Sequence, residues 1–121
     1  WPKFVPLIEG EQFGSPELAA AIKEYTDKLK EHDVDTVMLS CTHYPFVEKE
    51  IREAFGPGVT ILDPAERTVQ AAMEDLKQRR LNRETGLGRA EVCFTADLER
   101  GKRLAARMLD MSQCDFRLIH L

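Results

Sequence analysis

The stretch VDTVMLSCTHYPF, residues 34–46, decides how the rest of the chain is read. Its first half, VDTVML (34–39), is short, rich in β-formers and too apolar for a strand with one wet face. It therefore predicts a strand covered on both faces, as parallel strands are. Pro45 is acceptable in a first helical turn, and Val47, Ile51, Ala54 and Phe55 recur at helical spacing until Gly56-Pro57-Gly58 stops them. Cys41, Thr42 and His43 thus fall where a buried strand ends and a helix begins.

Working outward, Ser15 followed by Pro16 reads as an N-cap and first-turn proline, with Leu18, Ile22, Tyr25 and Leu29 on one face of a helix over 16–32. VTIL (59–62) predicts a second strand. Asp63 then caps a helix in which Val69, Ala72, Met73 and Leu76 align as a core stripe. The polar stretch 82–90, with Gly86 and Gly88, breaks it. EVCFT (91–95) is a third strand. A helix from about Asp97 aligns Leu98, Leu104, Ala105 and Met108, and CDFRLIHL (114–121) closes as a strand with Phe116 and Leu118 on one side. Strands alternating with helices predict a layered α/β fold with a mostly parallel sheet.

The chain has 121 residues, enough for one ordinary domain, with 31% charged and 43% hydrophobic residues, close to globular averages. A net charge of −4 argues against a nucleic-acid footprint, which needs clustered Lys and Arg. The one basic run, Lys77-Gln78-Arg79-Arg80, complements the C-terminal dipole of a predicted helix. No window approaches the ~20 apolar residues of a membrane helix, which points away from a membrane and to the cytosol. Three cysteines, Cys41, Cys93 and Cys114, make an odd count without CxxC spacing, disfavouring a disulfide framework or a metal site. Cys93 and Cys114 read as packing or surface thiols, and His32 as a helix-end cation. The opening WPKFVPLIEG has no preceding element to pack it, as expected of an excerpt from a longer protein.

In open α/β sheets, ligands gather at the carboxyl ends of strands, where helix N-termini point free N–H groups. Such a terminus favours an anion by about 0.3–1 kcal/mol, so a sulfur held there suits reversible proton transfer. His43 could hold or supply the proton. The residues leave a second reading open: a cysteine after an apolar strand is also a common small buried hydrophobe, Thr42 a simple cap and His43 a satisfied histidine.

SCTHYP (40–45) resembles the signature of the second half of glutamate racemases, a small residue followed by Cys-Thr-His-Tyr-Pro. PKFVPLIEG (2–10) is similar to that family's Pro-x-Phe-Val-Pro-Leu-Val-Glu segment, and CFTADLERGKRLAARML (93–109) to its closing strand, acidic turn and helix. The Thr-His-Tyr-Pro run favours glutamate over the related aspartate and hydantoin racemases, which carry a different residue at the His43 position. The resemblance implies a two-lobe α/β racemase that needs no cofactor and no metal. Two cysteines face opposite sides of the substrate α-carbon, supplying D-glutamate for peptidoglycan. It assigns Cys41 as the second acid/base thiol, His43 as its helper and Glu9 as the glutamate on this side. Thr42, beside Cys41, would bind the substrate.

The resemblance also implies that residues 1–62 belong to the second lobe and 63–121 return to the first. The family's first half, with its own cysteine, has no counterpart here. One thiol reaches one face of a planar intermediate, so the chain alone is expected not to racemise glutamate. Its expected partners are glutamate, the missing N-terminal half and further copies of itself, with neither nucleic acid nor membrane. Trp1 stands where the family commonly has Cys, and Pro64 where many relatives have Ser. The competing expectation is an amino-acid-binding or assembly module that keeps the fold without catalysis.

Overall fold

A computed structural model describes residues 1–86 and 88–121. The chain divides into two compact units, Trp1–Leu81 and Asn82–Leu121. Each is built around two parallel strands joined through a helix, which makes the fold a layered α/β one.

In the first unit, helix α1 (Phe4–Glu9) precedes α2 (Pro16–Lys30) and strand β1 (Thr36–Met38). A 3-10 turn (Tyr44–Val47) then leads into α3 (Glu48–Phe55), strand β2 (Thr60–Leu62) and α4 (Pro64–Gln78). The Ser15 hydroxyl accepts the Leu18 N–H at 3.1 Å and Pro16 opens the first turn, so α2 starts where its cap dictates. It stops at Lys30, two residues short of expectation, and the turn after it puts Asp33 at φ 50° and leaves His32 beyond the helix. Gly56 ends α3 at φ 82°, a conformation L side chains rarely adopt.

Leu18, Ile22 and Tyr25 of α2, Val47, and Ile51 and Phe55 of α3 bury one face each against Val37, Leu39 and Ile61. The single buried polar residue among those described, Thr26, donates its hydroxyl to the Lys23 carbonyl at 3.2 Å. The N-terminal segment forms α1, a helix the prolines conceal. Pro6 falls in its first turn, where the missing N–H has no intrahelical partner to lose. Phe4 and Ile8 place α1 in the same core.

Three expectations fail here, the first two because the covering surface is missing. The β1–β2 pair, in register Val37↔Ile61 and Met38↔Leu62, is covered on one face only, with Met38 58% and Leu62 44% exposed. In α4, capped as expected by Asp63 accepting the Ala65 N–H at 2.9 Å, no residue is buried, and Val69 and Met73 are exposed rather than core. α3 is preceded by a four-residue 3-10 turn, so no α-helix N-terminus directly follows Cys41. The apolar pattern is present, but the surface it would pack against is absent from this unit. At the end of α4, Lys77 occupies the last turn and Arg79 pairs with Asp75 at 3.0 Å.

The second unit pairs β3 (Ala90–Phe94) with β4 (Cys114–Leu118) through α5 (Leu98–Ala105) and a 3-10 turn (Met111–Gln113). Cys114 begins β4, and its thiol donates to the Asp110 carbonyl at 3.5 Å. Met108 lies past the end of α5 and is exposed. Cross-strand ion pairs run along the sheet: Arg89 donates twice to Asp115, at 2.6 and 2.9 Å, and Arg117 meets Glu91 at 2.8 Å. The Arg89 guanidinium holds the Asp115 carboxyl below its usual range.

Candidate active site at the end of the first strand

Leu39 continues the pairing of β1 by donating its N–H to the Leu62 carbonyl at 2.8 Å, and its side chain is buried. Val47, eight residues on, is buried too. Between these two apolar anchors the chain must turn in the open. Ser40 and Thr42 are exposed, and Cys41 and His43 half-buried. The turn is closed by backbone bonds from the Tyr44 N–H to the Cys41 carbonyl at 3.3 Å and from the Phe46 N–H to the His43 carbonyl at 3.1 Å.

Helix α1 lies against this turn. Phe4 and Ile8 bury one face of it, which turns Glu9 toward the motif, and the Glu9 carboxylate sits 2.7 Å from His43 Nε2. A carboxylate can only accept, so this bond places a proton on Nε2. In the neutral ring Nδ1 is then the acceptor, 3.4 Å from the Thr42 hydroxyl. The structure thus joins Glu9 to His43, 34 residues away in sequence, and His43 to Thr42 in one chain of contacts, within the turn that carries Cys41. The Glu9–His43 pair is partly exposed, which limits its worth to about 1 kcal/mol or less.

Four aromatic rings form the floor behind the motif. Trp1 stacks between Tyr25 and Tyr44, with centroids 6.0 and 5.3 Å away and interplanar angles of 16° and 29°, while Phe4 meets both tyrosines edge-on. The Tyr44 hydroxyl donates to the Trp1 carbonyl at 3.3 Å. Burial, reinforced by the neighbouring Cys41 and Tyr25, pushes the Tyr44 phenol above its ordinary value, which keeps it protonated and able to donate. The sequence reading gave Tyr44 and Trp1 no part in the site. The signal available was the aromatic content of the three segments that meet here.

No group of three or more His, Cys, Asp or Glu side chains among the described residues could hold a metal. Two depressions lie elsewhere. One, of about 270 Å³, runs between α2 and α3 over Leu18, Ile22, Lys23 and Glu53; the other, of about 500 Å³, is lined in the second unit by Arg89, Ser112, Gln113 and Asp115. Neither includes the motif. No described helix is long and apolar enough to cross a membrane.

A parallel strand that ends on a thiol, a hydroxyl and a carboxylate-bound imidazole defines a layered α/β protein with titratable groups gathered at the carboxyl end of a strand. No protein-family model matches the chain. It is 36% identical over 108 residues to glutamate racemase 2 of Caldanaerobacter subterraneus, a match covering 89% of this chain and 41% of that protein. To the glutamate racemase of Desulforudis audaxviator it is 42% identical over 78 residues, 64% of this chain and 29% of that one. The solved glutamate racemase of Thermus thermophilus, in complex with β-chloro-D-alanine, superposes with a TM-score of 0.78 at 32% identity over 99% of this chain and 46% of its own. An isoform from Bacillus anthracis shares the fold at a TM-score of 0.82 over 97% of this chain, with 23% identity. The chain belongs to the glutamate racemase family, and it spans less than half the length of these relatives.

Proposed function

We propose that this chain is the C-terminal portion of a glutamate racemase that works without a cofactor, and that Cys41 is one of its two acid/base thiols. The observation that carries the reading is the Glu9–His43 bond of 2.7 Å within the turn that bears Cys41, at the end of a parallel strand. As a thiolate, Cys41 takes the α-proton of glutamate. An S–H bond forms, the Cα–H bond breaks, and the electron pair stays on Cα, delocalised into the carboxylate. Thr42 holds that carboxylate through its hydroxyl and backbone N–H. His43, fixed by Glu9 through Nε2, exchanges a proton with the sulfur through Nδ1, which is engaged only by the long contact to Thr42.

Inversion needs a second thiol on the opposite face of the planar intermediate. That thiol comes from a complementary half, so this chain alone is inactive. The one-sided sheet supports the need for such a half, because parallel sheets are normally covered on both faces. The assembled enzyme, cytoplasmic and oligomeric, would supply D-glutamate for the bacterial cell wall.

The test pairs the 121-residue chain with the upstream half encoded in its intact reading frame. Racemisation of glutamate is expected from the mixture and not from this chain alone. Cys41→Ser should lower it by at least about a hundredfold, the lower end of what general acid–base groups contribute. Turnover by the chain alone that disappears on Cys41→Ser overturns the two-thiol reading. Assembly without turnover, with glutamate still bound, would instead mark a non-catalytic amino-acid-binding module.

A further inference from the structure

Tyr44 has no role in proton transfer, yet it makes more contacts across the site than any of the groups that do. Its N–H closes the Cys41 turn, its hydroxyl reaches back to the Trp1 carbonyl, and its ring packs on Trp1 and Phe4 of the N-terminal segment. Trp1 in turn is stacked on Tyr25 of the well-buried α2. The Glu9–His43 bond spans the same two segments, α1 and the motif turn, from the other side. The turn is therefore tied to α1 twice, once by a partly exposed polar bond and once by aromatic rings. The polar tie is worth little by itself. Aromatic pairs contribute about 0.5–1.5 kcal/mol each beyond the area they bury, so the ring clamp is the stronger tie.

We propose that Tyr44 is a positioning residue, whose stack with Trp1 and edge-on contact with Phe4 hold the turn that carries Cys41 against the N-terminal segment, where Glu9 meets His43. This rests on Cys41 being the working thiol, but its consequences for that sulfur are measurable without any turnover. When the clamp opens, the half-buried Cys41 becomes more accessible, while Cys93 in the other unit is untouched.

The experiment alkylates the 121-residue chain with iodoacetamide and follows each cysteine separately by peptide mass spectrometry. Trp1, the only tryptophan, reports the stack through its fluorescence. Tyr44→Phe, which keeps the ring, should leave the Cys41 rate within about twofold of the parent and the Trp1 emission in place. Tyr44→Leu should raise the Cys41 rate about fivefold, the effect of losing roughly 1 kcal/mol, and shift the emission to longer wavelength with Cys93 unchanged. Trp1→Leu, which opens the stack from its other side, should give the same rise.

An unchanged Cys41 rate in a Tyr44→Leu chain whose emission has shifted overturns the proposal. So does a rise accompanied by loss of hydrogen-exchange protection in α2, since that is unfolding of the first unit and not opening of the clamp. Failure of the racemase reading registers separately, as absent glutamate turnover in the assembled enzyme whatever the alkylation rates show.

Discussion

Replacing Met38 and Leu62 by glutamine tests whether the second face of the first sheet is open in this chain and covered in the assembled enzyme. The two residues are register partners on adjacent parallel strands, so their side chains stand together on the face opposite Val37 and Ile61. Fully burying a Met or Leu side chain is worth about 1.5–3 kcal/mol. With Met38 58% and Leu62 44% exposed, roughly half of that remains to be gained at each position. Covering the pair would therefore contribute about 1.5–3 kcal/mol to association, or about ten- to hundredfold in affinity.

In the isolated chain the double change should cost no more than about 1.5–3 kcal/mol, the part of the burial already realised there. Urea denaturation followed by Trp1 fluorescence reads that number. Titration of the upstream half into labelled chain reads the association constant, which should weaken by the factor above. A loss well beyond about 3 kcal/mol in the isolated chain would mean that the face is already packed. An unaltered association constant would mean that the partner docks elsewhere. As a control, Ile61→Gln on the buried face should destabilise the isolated chain by more than about 2 kcal/mol, because it buries an amide without partners.

Gly101→Ala should destabilise the second unit, against the usual gain of about 1 kcal/mol for alanine within a helix. A Cβ there would lie 2.4–2.7 Å from the Phe94 ring, and overpacking costs about 1–3 kcal/mol. Hydrogen exchange of the β3 and β4 amides should accelerate in Gly101→Ala and recover in a Phe94→Leu background; a more protected single variant would show that the ring moves aside freely. The same sheet should weaken in acid. Arg89 lowers the folded-state value of Asp115 below its ordinary 3.8, so the stabilisation is complete above the unfolded value and lost as pH falls through the folded one. Protection factors across β3–β4 should drop below about pH 4, and Asp115→Asn should flatten that profile; an identical profile in the variant refutes the assignment.

What could be read along the chain and what could not divides by the range of the forces involved. Ser15-Pro16 and Asp63-Pro64 start helices through bonds made within three residues, and both caps stand where they read. The β-rich runs 34–39 and 59–62 form strands where they read, as β1 and β2. Helix α1 was hidden because Pro2 and Pro6 look like punctuation, although a proline in a first turn removes no helical bond.

Whether Met38 or Met73 is buried is a different kind of question. A strand or helix carries its own hydrophobic pattern but not the surface that will cover it, and the first unit leaves Met38 and Met73 exposed. The site divides in the same way. Cys41, Thr42 and His43 are contiguous, so chemistry alone singles them out. Glu9 lies 34 residues from His43, and only the resemblance of PKFVPLIEG to a known segment selected it. The structure supplies a physical reason for that distant pairing. Phe4 and Ile8 are buried in the core that α2, α3 and the strands share, and Trp1 stacks beside them. With α1 fixed by those residues, the carboxylate at its end has one imidazole within reach. The pairing is thus a consequence of hydrophobic burial, and a change that loosens Phe4 or Ile8 should separate Glu9 from His43 without touching either.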